Sequence, residues 1–315
     1  MTVTASPTSV RQGIAAAADL LDKAGIATAH NDAELIIGSV LGVGRTHLYL
    51  GGSTTLEDRH RSQIDELVSR RARREPLQHI LGSVTFRRVE IAIDGRAMVP
   101  RPETELLAGA VIDHLDLERA QGTREPLAVD LCTGSGAIAA AIADEVRGVR
   151  LWAADISADA LDLARQNFES LPEGRRPQLC HGDLFAPLPR ALAGRVDVIV
   201  ANPPYVSSSD IAGLDPEVRD HDPLVALDGG ADGLGLIRRI VGEAADWLRP
   251  EGLLAMEIGE SQWPIVAGLA VDAGLLVRPP GLDYLGVERF LLASRLTGDC
   301  GARLGTHRDR TEIEK

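Results

Sequence analysis

The spacing of apolar positions divides the chain into a helical first part and a longer part in which strands and helices alternate. Between Ser9 and Glu75, aliphatic residues recur every three or four positions, which is the spacing of one buried helix face. This recurrence predicts three helices, around residues 14–21, 33–41 and 56–68, packed as a small bundle. Residues before Ser9 carry no such pattern and are expected to be disordered.

Glycines and short polar residues mark where the predicted helices begin and end. Gly25 and the run Gly42–Gly44 are expected to stop the first two helices. Asn31 or Asp32 is expected to cap the second helix. This part of the chain carries no catalytic constellation, so we expect it to bind a partner or to serve as structural support.

A change of pattern follows the helical part. Between residues 76 and 96 apolar and polar positions alternate, and the turn-prone pair Asp94-Gly95 lies near the end, which predicts a hairpin-like connector. A proline-rich stretch then leads into a helix that begins at Pro102 or Thr104 and runs to about residue 117.

From residue 126 onward, short apolar runs alternate with helical patterns, which is typical of a mostly parallel sheet covered on both faces. The predicted strands are 127–132, 150–154, 177–180, 196–201, 252–258, 275–278 and 288–293. The predicted helices are 137–146, 158–169, 234–247 and 264–273. The fold class is therefore α/β: a seven-stranded, doubly wound, Rossmann-like sheet with an antiparallel edge, preceded by a small N-terminal helical bundle.

These patterns divide the 315 residues into four segments. We expect an N-terminal helical domain over residues 1–75, a β-hairpin connector over 76–100, an α/β domain over 101–295 and a flexible polar tail over 296–315. No apolar run is long enough to span a bilayer, and the first residues lack the profile of a signal peptide. We therefore expect a cytoplasmic protein without a membrane partner.

The charge balance argues against a nucleic-acid track. The net charge is −13, and a duplex partner normally requires a basic surface that releases counterions from phosphates. A local basic run, Arg70–Arg74, keeps that possibility open, but the solvated end of a helix is the favoured interpretation. The three cysteines, Cys132, Cys180 and Cys300, have none of the paired spacing of a zinc site or a disulfide framework, so we expect free thiols and no metal.

The most informative stretch follows the predicted strand 196–201. Asn202, Pro203, Pro204 and Tyr205 end that strand with two residues that carry no backbone N–H. The loop is therefore stiff, and it presents an amide, free carbonyls and an aromatic face at the carboxyl end of a strand, where open α/β sheets bind ligands. An isolated Asn-Pro pair is a common turn, so the surrounding residues must decide between the two interpretations.

A glycine-rich turn follows the predicted strand 127–132. It comprises Cys132, Thr133, Gly134, Ser135 and Gly136, directly after the acidic strand residue Asp130. Glycines there let the backbone approach a ligand closely, but dinucleotide sites use the same device. The spacing differs from Gly-x-Gly-x-x-Gly, and the preceding carboxylate suits a positively charged ligand better than a pyrophosphate.

Two more carboxylates follow the next two predicted strands. Asp155 ends the second strand, about twenty residues past Gly136, where an acidic side chain accepts hydrogen bonds from ribose hydroxyls. Its alternative role, capping the next helix, is better filled by Ser157. Asp183 ends the third strand, where an adenine ring would lie. These residues and Asn202 therefore all fall at the carboxyl ends of neighbouring strands.

With these residues together, the chain resembles the release factor glutamine-N5 methyltransferases, the HemK/PrmC family of S-adenosylmethionine-dependent enzymes, over residues 10–295. The matching segments are Pro76–Gly82, Pro100–Glu105, Asp130–Gly136, Asn202–Tyr205, Asp228–Leu234 and Glu257–Gly259. The Asn-Pro-Pro-Tyr segment also occurs in DNA adenine methyltransferases. The segment Arg101–Glu105 and the helical N-terminal domain, taken together, are specific to the family.

The resemblance implies roles for the residues of these segments. The cofactor S-adenosyl-L-methionine would contact Asp130, Cys132, Thr133, Gly134, Ser135, Gly136, Asp155, Asp183, Leu184 and Asn202. The substrate would contact Asn202, Pro203, Pro204 and Tyr205, of which Asn202, Pro203 and Tyr205 would be catalytic. The Asn202 side-chain oxygen and the Pro203 carbonyl would accept the two protons of a glutamine amide, and no side chain is placed as a general base.

Three positions depart from the family pattern, namely Cys132, Ala201 and Leu184. Ala201 stands before Asn202, where the family usually has Ser or another small residue. Cys132 replaces a glycine of the loop, and a small thiol fits there if its φ is negative. Leu184 stands where an aromatic residue often follows the third-strand acid, so an adenine would lose a stacking partner and keep an apolar contact.

The resemblance also implies the substrate. It is the glutamine of the Gly-Gly-Gln loop in class I peptide chain release factors, with the N-terminal helices holding a separate part of that factor, and no nucleic acid is bound directly. The alternatives are a glutamine methyltransferase of a ribosomal protein and, less favoured, a nucleic-acid adenine or guanine amino-methyltransferase. A non-catalytic interaction protein and a nicotinamide dehydrogenase are disfavoured further, since no named site residue is missing and the dinucleotide fingerprint fails.

Overall fold

The computed structural model of the protein describes residues 9–121 and 125–296. The disorder predicted before Ser9, residues 297–315 of the tail predicted over 296–315, and Cys300 lie outside these ranges. Cys132 and Cys180 are free thiols. Within the described residues, no helix is both long and apolar enough to cross a membrane.

Five helices form the N-terminal part. They are α1 (Val10–Lys23), α2 (Ala29–Leu41), α3 (Arg45–Leu50), α4 (Asp58–Ala72) and α5 (Leu77–Leu81). Their shared core is aliphatic and includes the fully buried Leu21, Ile36 and Ile37. The helical packing continues through α5, past residue 75.

The predicted cap of α2 is wrong, whereas its predicted end is confirmed. Thr28 is the N-cap residue, and Asp32 lies in the first turn of the helix. There Asp32 is buried and accepts a hydrogen bond from Arg71 Nε at 2.8 Å, so its carboxylate serves a tertiary contact. Gly42 ends the helix in the left-handed conformation that glycine favours, with φ of 66°.

The basic run at the end of α4 is not the solvated helix end that the sequence favours. Arg71 is buried and bridges Asp32 to Glu217, whose Oε1 lies 2.9 Å from Arg71 Nη1. Arg74 Nη2 lies 2.7 Å from Glu217 Oε2, and Arg70 pairs with Glu75. This run therefore joins the N-terminal helices to the segment that follows Tyr205, and buried guanidinium groups of this kind are stable only when paired.

The predicted hairpin is present, but its turn lies elsewhere. Strands β1 (Ser83–Phe86) and β2 (Val89–Ala92) pair antiparallel and turn at Arg87, whose φ is 53°. Arg87 Nε donates to Glu145 at 2.6 Å, which ties the turn to the α/β part. The Asp94-Gly95 pair follows the hairpin, and there Asp94 accepts from the Arg96 backbone N–H.

The remaining elements alternate as predicted. In chain order they are α6 (Pro102–Gln121), β3 (Leu127–Leu131), α7 (Ala137–Glu145), β4 (Arg150–Asp155), α8 (Ala158–Phe168), β5 (Gln178–His181), β6 (Val196–Ala201), α9 (Pro216–Arg219), α10 (Gly235–Trp247), β7 (Leu248–Glu257), α11 (Trp263–Asp272), β8 (Leu275–Val277), β9 (Gly281–Leu282) and β10 (Glu288–Arg295). Short 3-10 turns occupy Glu173–Arg175, Arg190–Leu192, Ile211–Gly213 and Leu224–Ala226.

The sheet has the strand order β5-β4-β3-β6-β7-β10-β8, and the two-residue β9, which was not predicted, pairs with β10. Strands β3 to β7 run parallel, while β10 runs antiparallel to both β7 and β8. Apolar clusters cover both faces, as in doubly wound folds. The register sets Leu131 beside Ala201 and Ala201 beside Met256, so the loops after β3 and β6 and the end of β7 meet at one edge.

Candidate active site

A cavity of about 540 Å³ lies at the carboxyl ends of the parallel strands. Nine of the predicted site residues line it, namely Cys132, Thr133, Gly134, Ser135, Asp155, Asp183, Leu184, Asn202 and Pro204. The other four predicted residues, Asp130, Gly136, Pro203 and Tyr205, are not among its lining residues. A cavity of this size and position is typical of a small-molecule site in an open α/β sheet.

The glycine-rich loop, residues 132–136, turns sharply because three of its residues have left-handed backbone conformations. The φ angles are 56° at Cys132, 55° at Gly134 and 80° at Gly136. A Cβ on Gly136 would lie 2.7 Å from the ring of Phe168, so only glycine lets α8 pack so closely. The condition of a negative φ at Cys132 is not met, and a non-glycine residue in this conformation costs about 1–2 kcal/mol.

Asp155 fixes the glycine-rich loop from the neighbouring strand. Its Oδ2 accepts from the Gly134 N–H at 2.8 Å, and its Oδ1 accepts from the Ser157 N–H at 2.9 Å. Ser157 is the N-cap of α8 and accepts from the Ala160 N–H, as the sequence predicts. The Asp155 carboxylate is therefore held at the cavity wall, with lone pairs left for further donors.

Asp130 lies behind the glycine-rich loop. Its side chain is completely buried, and its Oδ2 accepts from Thr133 Oγ1 at 2.6 Å. Burial raises the pKa of this carboxyl to about 7, and its Oδ1 has no hydrogen-bond partner among the described residues. Asp130 thus supports Thr133 from below and does not face the cavity.

The loop that follows β5 contributes Asp183 and Leu184. Asp183 Oδ2 accepts from Arg239 Nη2 at 2.7 Å, and Arg239, from α10, also lines the cavity. Leu184 is buried in a left-handed conformation with φ of 48° and supplies an apolar wall. Arg239 was not predicted from the sequence, because it lies 56 positions from its partner.

The loop 202–205, here called the Asn-Pro-Pro-Tyr loop, is tied to a buried carboxylate. Asn202 Nδ2 lies 3.4 Å from Thr104 Oγ1, which in turn donates to Glu257 Oε2 at 2.7 Å. The Tyr205 hydroxyl donates to Glu257 Oε1 at 3.3 Å. Glu257 is 3% exposed, and its burial raises the pKa of the carboxyl. Four residues from three segments therefore form one hydrogen-bonded chain that begins at the cavity wall.

The backbone of the Asn-Pro-Pro-Tyr loop is wrapped by the glycines of the segment 228–234. A Cβ on Gly229 would lie 2.8 Å from the backbone carbonyl oxygen of Pro204, and one on Gly233 would lie 2.3 Å from the backbone carbonyl oxygen of Tyr205. Gln262 Nε2 donates to that same Tyr205 oxygen at 3.0 Å. Because no side chain fits at the two glycine positions, the loop is held by backbone packing as well as by its prolines.

Thr104 and Glu257 are site residues that the sequence reasoning missed. Both lie in segments that carry the family resemblance, at the start of α6 and at the end of β7. Their residue types gave no reason to join them, since they are 153 positions apart. The available indication was the register of the sheet, because β7 follows β6 and ends beside Asn202.

Comparison with known proteins identifies the family. Two family models match, the PrmC N-terminal domain over residues 12–82 and the Methyltransferase small domain over residues 109–213. The release factor glutamine methyltransferase of Streptomyces coelicolor is 42% identical over 249 residues, 79% of this chain and 84% of that protein. The chain belongs to the release factor glutamine methyltransferases. The member from Deinococcus radiodurans is 39% identical over 280 residues, 88% of this chain and 95% of that protein.

Membership in the release factor glutamine methyltransferases confirms the predicted family and the enzyme class. The predicted fold is confirmed as well, by the sheet described above and by a solved structure. The catalytic domain of hMettl16, solved in complex with MAT2A 3'UTR hairpin 6, superposes with a TM-score of 0.53 over 71% of this chain and 82% of that one. At 16% sequence identity that likeness concerns the fold alone.

Proposed function

We propose that this protein transfers a methyl group from S-adenosyl-L-methionine to the side-chain amide nitrogen of the glutamine in the Gly-Gly-Gln motif of class I peptide chain release factors. The observation that carries the proposal is that Asn202 lines the same cavity as Asp155 and Asp183. A methyl donor held by the two carboxylates would thus share one space with an amide held by Asn202.

The donor set fits S-adenosyl-L-methionine, which supplies a methyl group on a positively charged sulfonium. Both Asp155 and Asp183 line the cavity. Asp155 would accept hydrogen bonds from the ribose hydroxyls, and Asp183 would accept one from the adenine amino group. Backbone around Gly134 and the hydroxyls of Thr133 and Ser135 would contact the remaining polar groups. Asp130 and Gly136 would act on the cofactor through the loop that they support, while Cys132 and Leu184 would supply apolar walls.

The reaction depends on orienting a weak nucleophile. The lone pair of a glutamine amide is delocalised into its carbonyl group, so the nitrogen must be held in line with the methyl group before it attacks. The Asn202 side-chain oxygen and the Pro203 carbonyl would accept the two amide protons and stabilise the positive charge that develops on nitrogen. Near-attack positioning of this kind contributes roughly 7–11 kcal/mol in favourable cases.

No proton needs to leave before methyl transfer. Burial raises the pKa of the Cys132 thiol and of the Tyr205 hydroxyl, so both stay protonated and neither serves as a base. The nitrogen would lose its proton to solvent after the new bond forms. Tyr205, beside the cavity, would pack against the planar amide with Pro204.

The N-terminal helices would hold a separate part of the release factor. A small loop inserted into a stiff site offers little binding area, and a second docking surface raises its effective concentration. We assign docking to residues 1–75, connection to 76–100, methyl transfer to 101–295 and a tail to 296–315. Because the substrate is a protein of translation termination, we place the enzyme in the cytoplasm, with no membrane and no direct nucleic-acid partner.

The test is methyl transfer from labelled S-adenosyl-L-methionine to purified release factor, to the same factor with its motif glutamine changed, and to bulk RNA and DNA. We expect label only in the intact factor, and an Asn202→Ala variant that loses at least a hundredfold in kcat while it still binds cofactor. Label in a ribosomal protein or in nucleic acid would overturn the proposed substrate. Gln178→Ala, an exposed amide at the start of β5 that lies outside both the cavity lining and the N-terminal helices, is the matched control.

A further inference from the structure

The hydrogen bonds that link Asn202, Thr104 and Glu257 all donate in one direction, toward the Glu257 carboxylate. We infer that Thr104 and Glu257 are positioning residues that lock the Asn202 amide with its oxygen toward the substrate. The inference rests on the proposed function, since it concerns how Asn202 is prepared to accept a proton from the glutamine amide.

The direction starts at Glu257. When it is ionised, the Glu257 carboxylate only accepts hydrogen bonds, and it then receives the Tyr205 hydroxyl on Oε1 and the Thr104 hydroxyl on Oε2. The Thr104 contact, at 2.7 Å, has the length of a good O–H···O hydrogen bond. The single proton of the Thr104 hydroxyl is therefore committed to Glu257.

The consequence passes to Asn202. A Thr104 oxygen whose proton is committed presents only lone pairs to its other neighbour, so that neighbour must donate. The Asn202 amino group, at 3.4 Å, meets this requirement. An amide has its oxygen on the other side of the same planar group, so the oxygen is left free at the cavity wall, which both Thr104 and Asn202 line.

A flipped Asn202 would defeat the proposed reaction. Its amino group would then face the amino group of the glutamine, and two donors cannot pair. Nothing in an isolated asparagine distinguishes the two orientations strongly, since its oxygen and nitrogen ends are nearly equal in size. The buried, acceptor-only carboxylate supplies the missing asymmetry from behind the loop.

Protonation of Glu257 would remove this asymmetry. A neutral carboxyl group can donate its proton to Thr104, whose own proton could then turn toward Asn202 and favour the flipped amide. The groups that face Glu257 are Glu103 of α6, Tyr205 and Arg289 of β10, and the Glu103 charge adds to the burial that raises the pKa of Glu257. The locked orientation is thus present above that pKa and is lost as pH falls through it.

Two substitutions at position 104 test the inference. Thr104→Val keeps the shape but removes the hydroxyl, and Thr104→Ser keeps the hydroxyl. We expect the valine variant to lose at least tenfold in kcat on release factor, with cofactor affinity by calorimetry unchanged within about threefold. The serine variant should recover most of the loss. Thr85→Val, on the exposed face of β1, is the matched control.

The possible outcomes separate the inference from the proposed function. If the wild-type protein leaves the release factor unmethylated, the proposed function fails and this inference fails with it. If the wild type is active and Thr104→Val stays within twofold of it, the inference alone is overturned. Equal losses in the valine and serine variants would also overturn it, because they would point to packing rather than to the hydroxyl.

A pH profile provides a measurement that does not depend on the Thr104 variants folding well. In the wild type, kcat should fall as the solution is made acidic, because Glu257 becomes protonated. Glu257→Gln cannot titrate, so its kcat should be lower and lack that dependence. Any contribution from Asp130 is common to both proteins and cancels in their ratio. A ratio that stays constant over the whole pH range in which both proteins remain folded would overturn the inference.

Discussion

Each of the two loops that line the cavity is supported by a threonine hydroxyl that donates to a buried carboxylate, but the two carboxylates are paired differently. Behind the glycine-rich loop, Thr133 donates to the buried Asp130 at 2.6 Å, and behind the Asn-Pro-Pro-Tyr loop, Thr104 donates to the buried Glu257 at 2.7 Å. Glu257 has a second donor in Tyr205, whereas one oxygen of Asp130 has no partner among the described residues. A carboxylate with a donor on each oxygen can impose a direction on its neighbours, and a half-paired one, with a donor on a single oxygen, supports shape alone.

The backbones of the two loops also differ in the groups that they offer to a ligand. The glycine-rich loop follows left-handed conformations that bring backbone to the cavity wall, and Asp155 accepts from its Gly134 N–H. The Asn-Pro-Pro-Tyr loop has two residues that lack an N–H and presents carbonyl groups and one amide side chain. The first loop therefore suits a ligand that is surrounded by backbone, and the second suits a group that donates protons.

The largest effect is expected where the Asn-Pro-Pro-Tyr loop is packed most closely. Gly233→Ala would place a Cβ 2.3 Å from the Tyr205 oxygen at a φ of 73°. Overpacking and the left-handed conformation together should lower the free energy of unfolding by about 3 kcal/mol. Because the loop is displaced, kcat of the variant should fall at least tenfold. Urea unfolding and the methyl-transfer assay measure the two effects.

The matched control is Gly242→Ala on the exposed side of α10, where a Cβ would meet nothing within 4 Å. There alanine should raise the free energy of unfolding by about 0.5–1 kcal/mol, since glycine is unfavourable inside a helix. Equal effects at positions 233 and 242 would refute the close packing of the loop.

The next effect concerns cofactor affinity at the glycine-rich loop. In the wild type, the two Asp155 oxygens accept from the backbone N–H groups of Gly134 and Ser157. Asp155→Asn keeps the shape of the side chain but replaces one oxygen with an amino group, which cannot accept from the N–H that it faces. We expect the dissociation constant of S-adenosyl-L-methionine to rise about tenfold to a hundredfold, because hydrogen bonds to a charged group contribute about 1.5–3 kcal/mol. Calorimetry measures this, and Asp159→Asn, exposed in the first turn of α8, should leave the constant unchanged.

A smaller effect follows from the half-paired Asp130. Its pKa of about 7 lies above its ordinary value of 3.8, so the folded protein holds this proton more tightly than the unfolded chain does. The contribution of Asp130 to the free energy of unfolding is therefore greatest below about pH 4 and decreases as pH rises to about 7. Relative to the wild type, Asp130→Asn should gain about 1–3 kcal/mol between these limits, since one pKa unit corresponds to about 1.4 kcal/mol.

Urea unfolding of both proteins at pH 4.5, 6 and 8 checks this prediction. Asp113→Asn, an exposed position on α6, controls for a general charge effect. An unchanged difference between the wild type and Asp130→Asn across this range would show that Asp130 is not held neutral.

The smallest effect isolates the backbone at Cys132. Cys132→Gly and Cys132→Ala both remove the thiol, but only glycine relieves the left-handed conformation, so the glycine variant should be more stable by about 1 kcal/mol. At Cys180, in the extended β5, the order should reverse, with alanine ahead by about 0.5–1 kcal/mol. Thermal melts of the four variants decide the matter, and the same order at both positions would refute it.

Local pattern was sufficient for most of the α/β part. The run 196–201 is apolar and β-branched and ends at a proline pair, and the strand found there has the predicted bounds. Strand β9 was missed because two residues carry no periodic pattern. The site residues that follow parallel strands were found for the same reason, since the edge of the sheet brings them together.

The missed contacts all join residues distant in the chain. The Arg71–Glu217 pair spans 146 positions, and the basic run looked solvated because its partner lies in another segment. Thr104 and Asn202 are 98 positions apart. The left-handed conformation of Cys132 was missed for another reason, because residue type alone favours a negative φ and the surrounding loop overrides it.

The paired acceptors of the Asn-Pro-Pro-Tyr loop also bear on when the reaction stops. A glutamine amide brings two N–H groups to Asn202 and Pro203, whereas the methylated product has one. The stiff prolines prevent the loop from closing on what remains, and an unmatched acceptor away from water costs about 1–3 kcal/mol. The methylated product should therefore bind more weakly than the substrate, and a second methylation should be disfavoured. Each release factor would then carry a single methyl group on this glutamine.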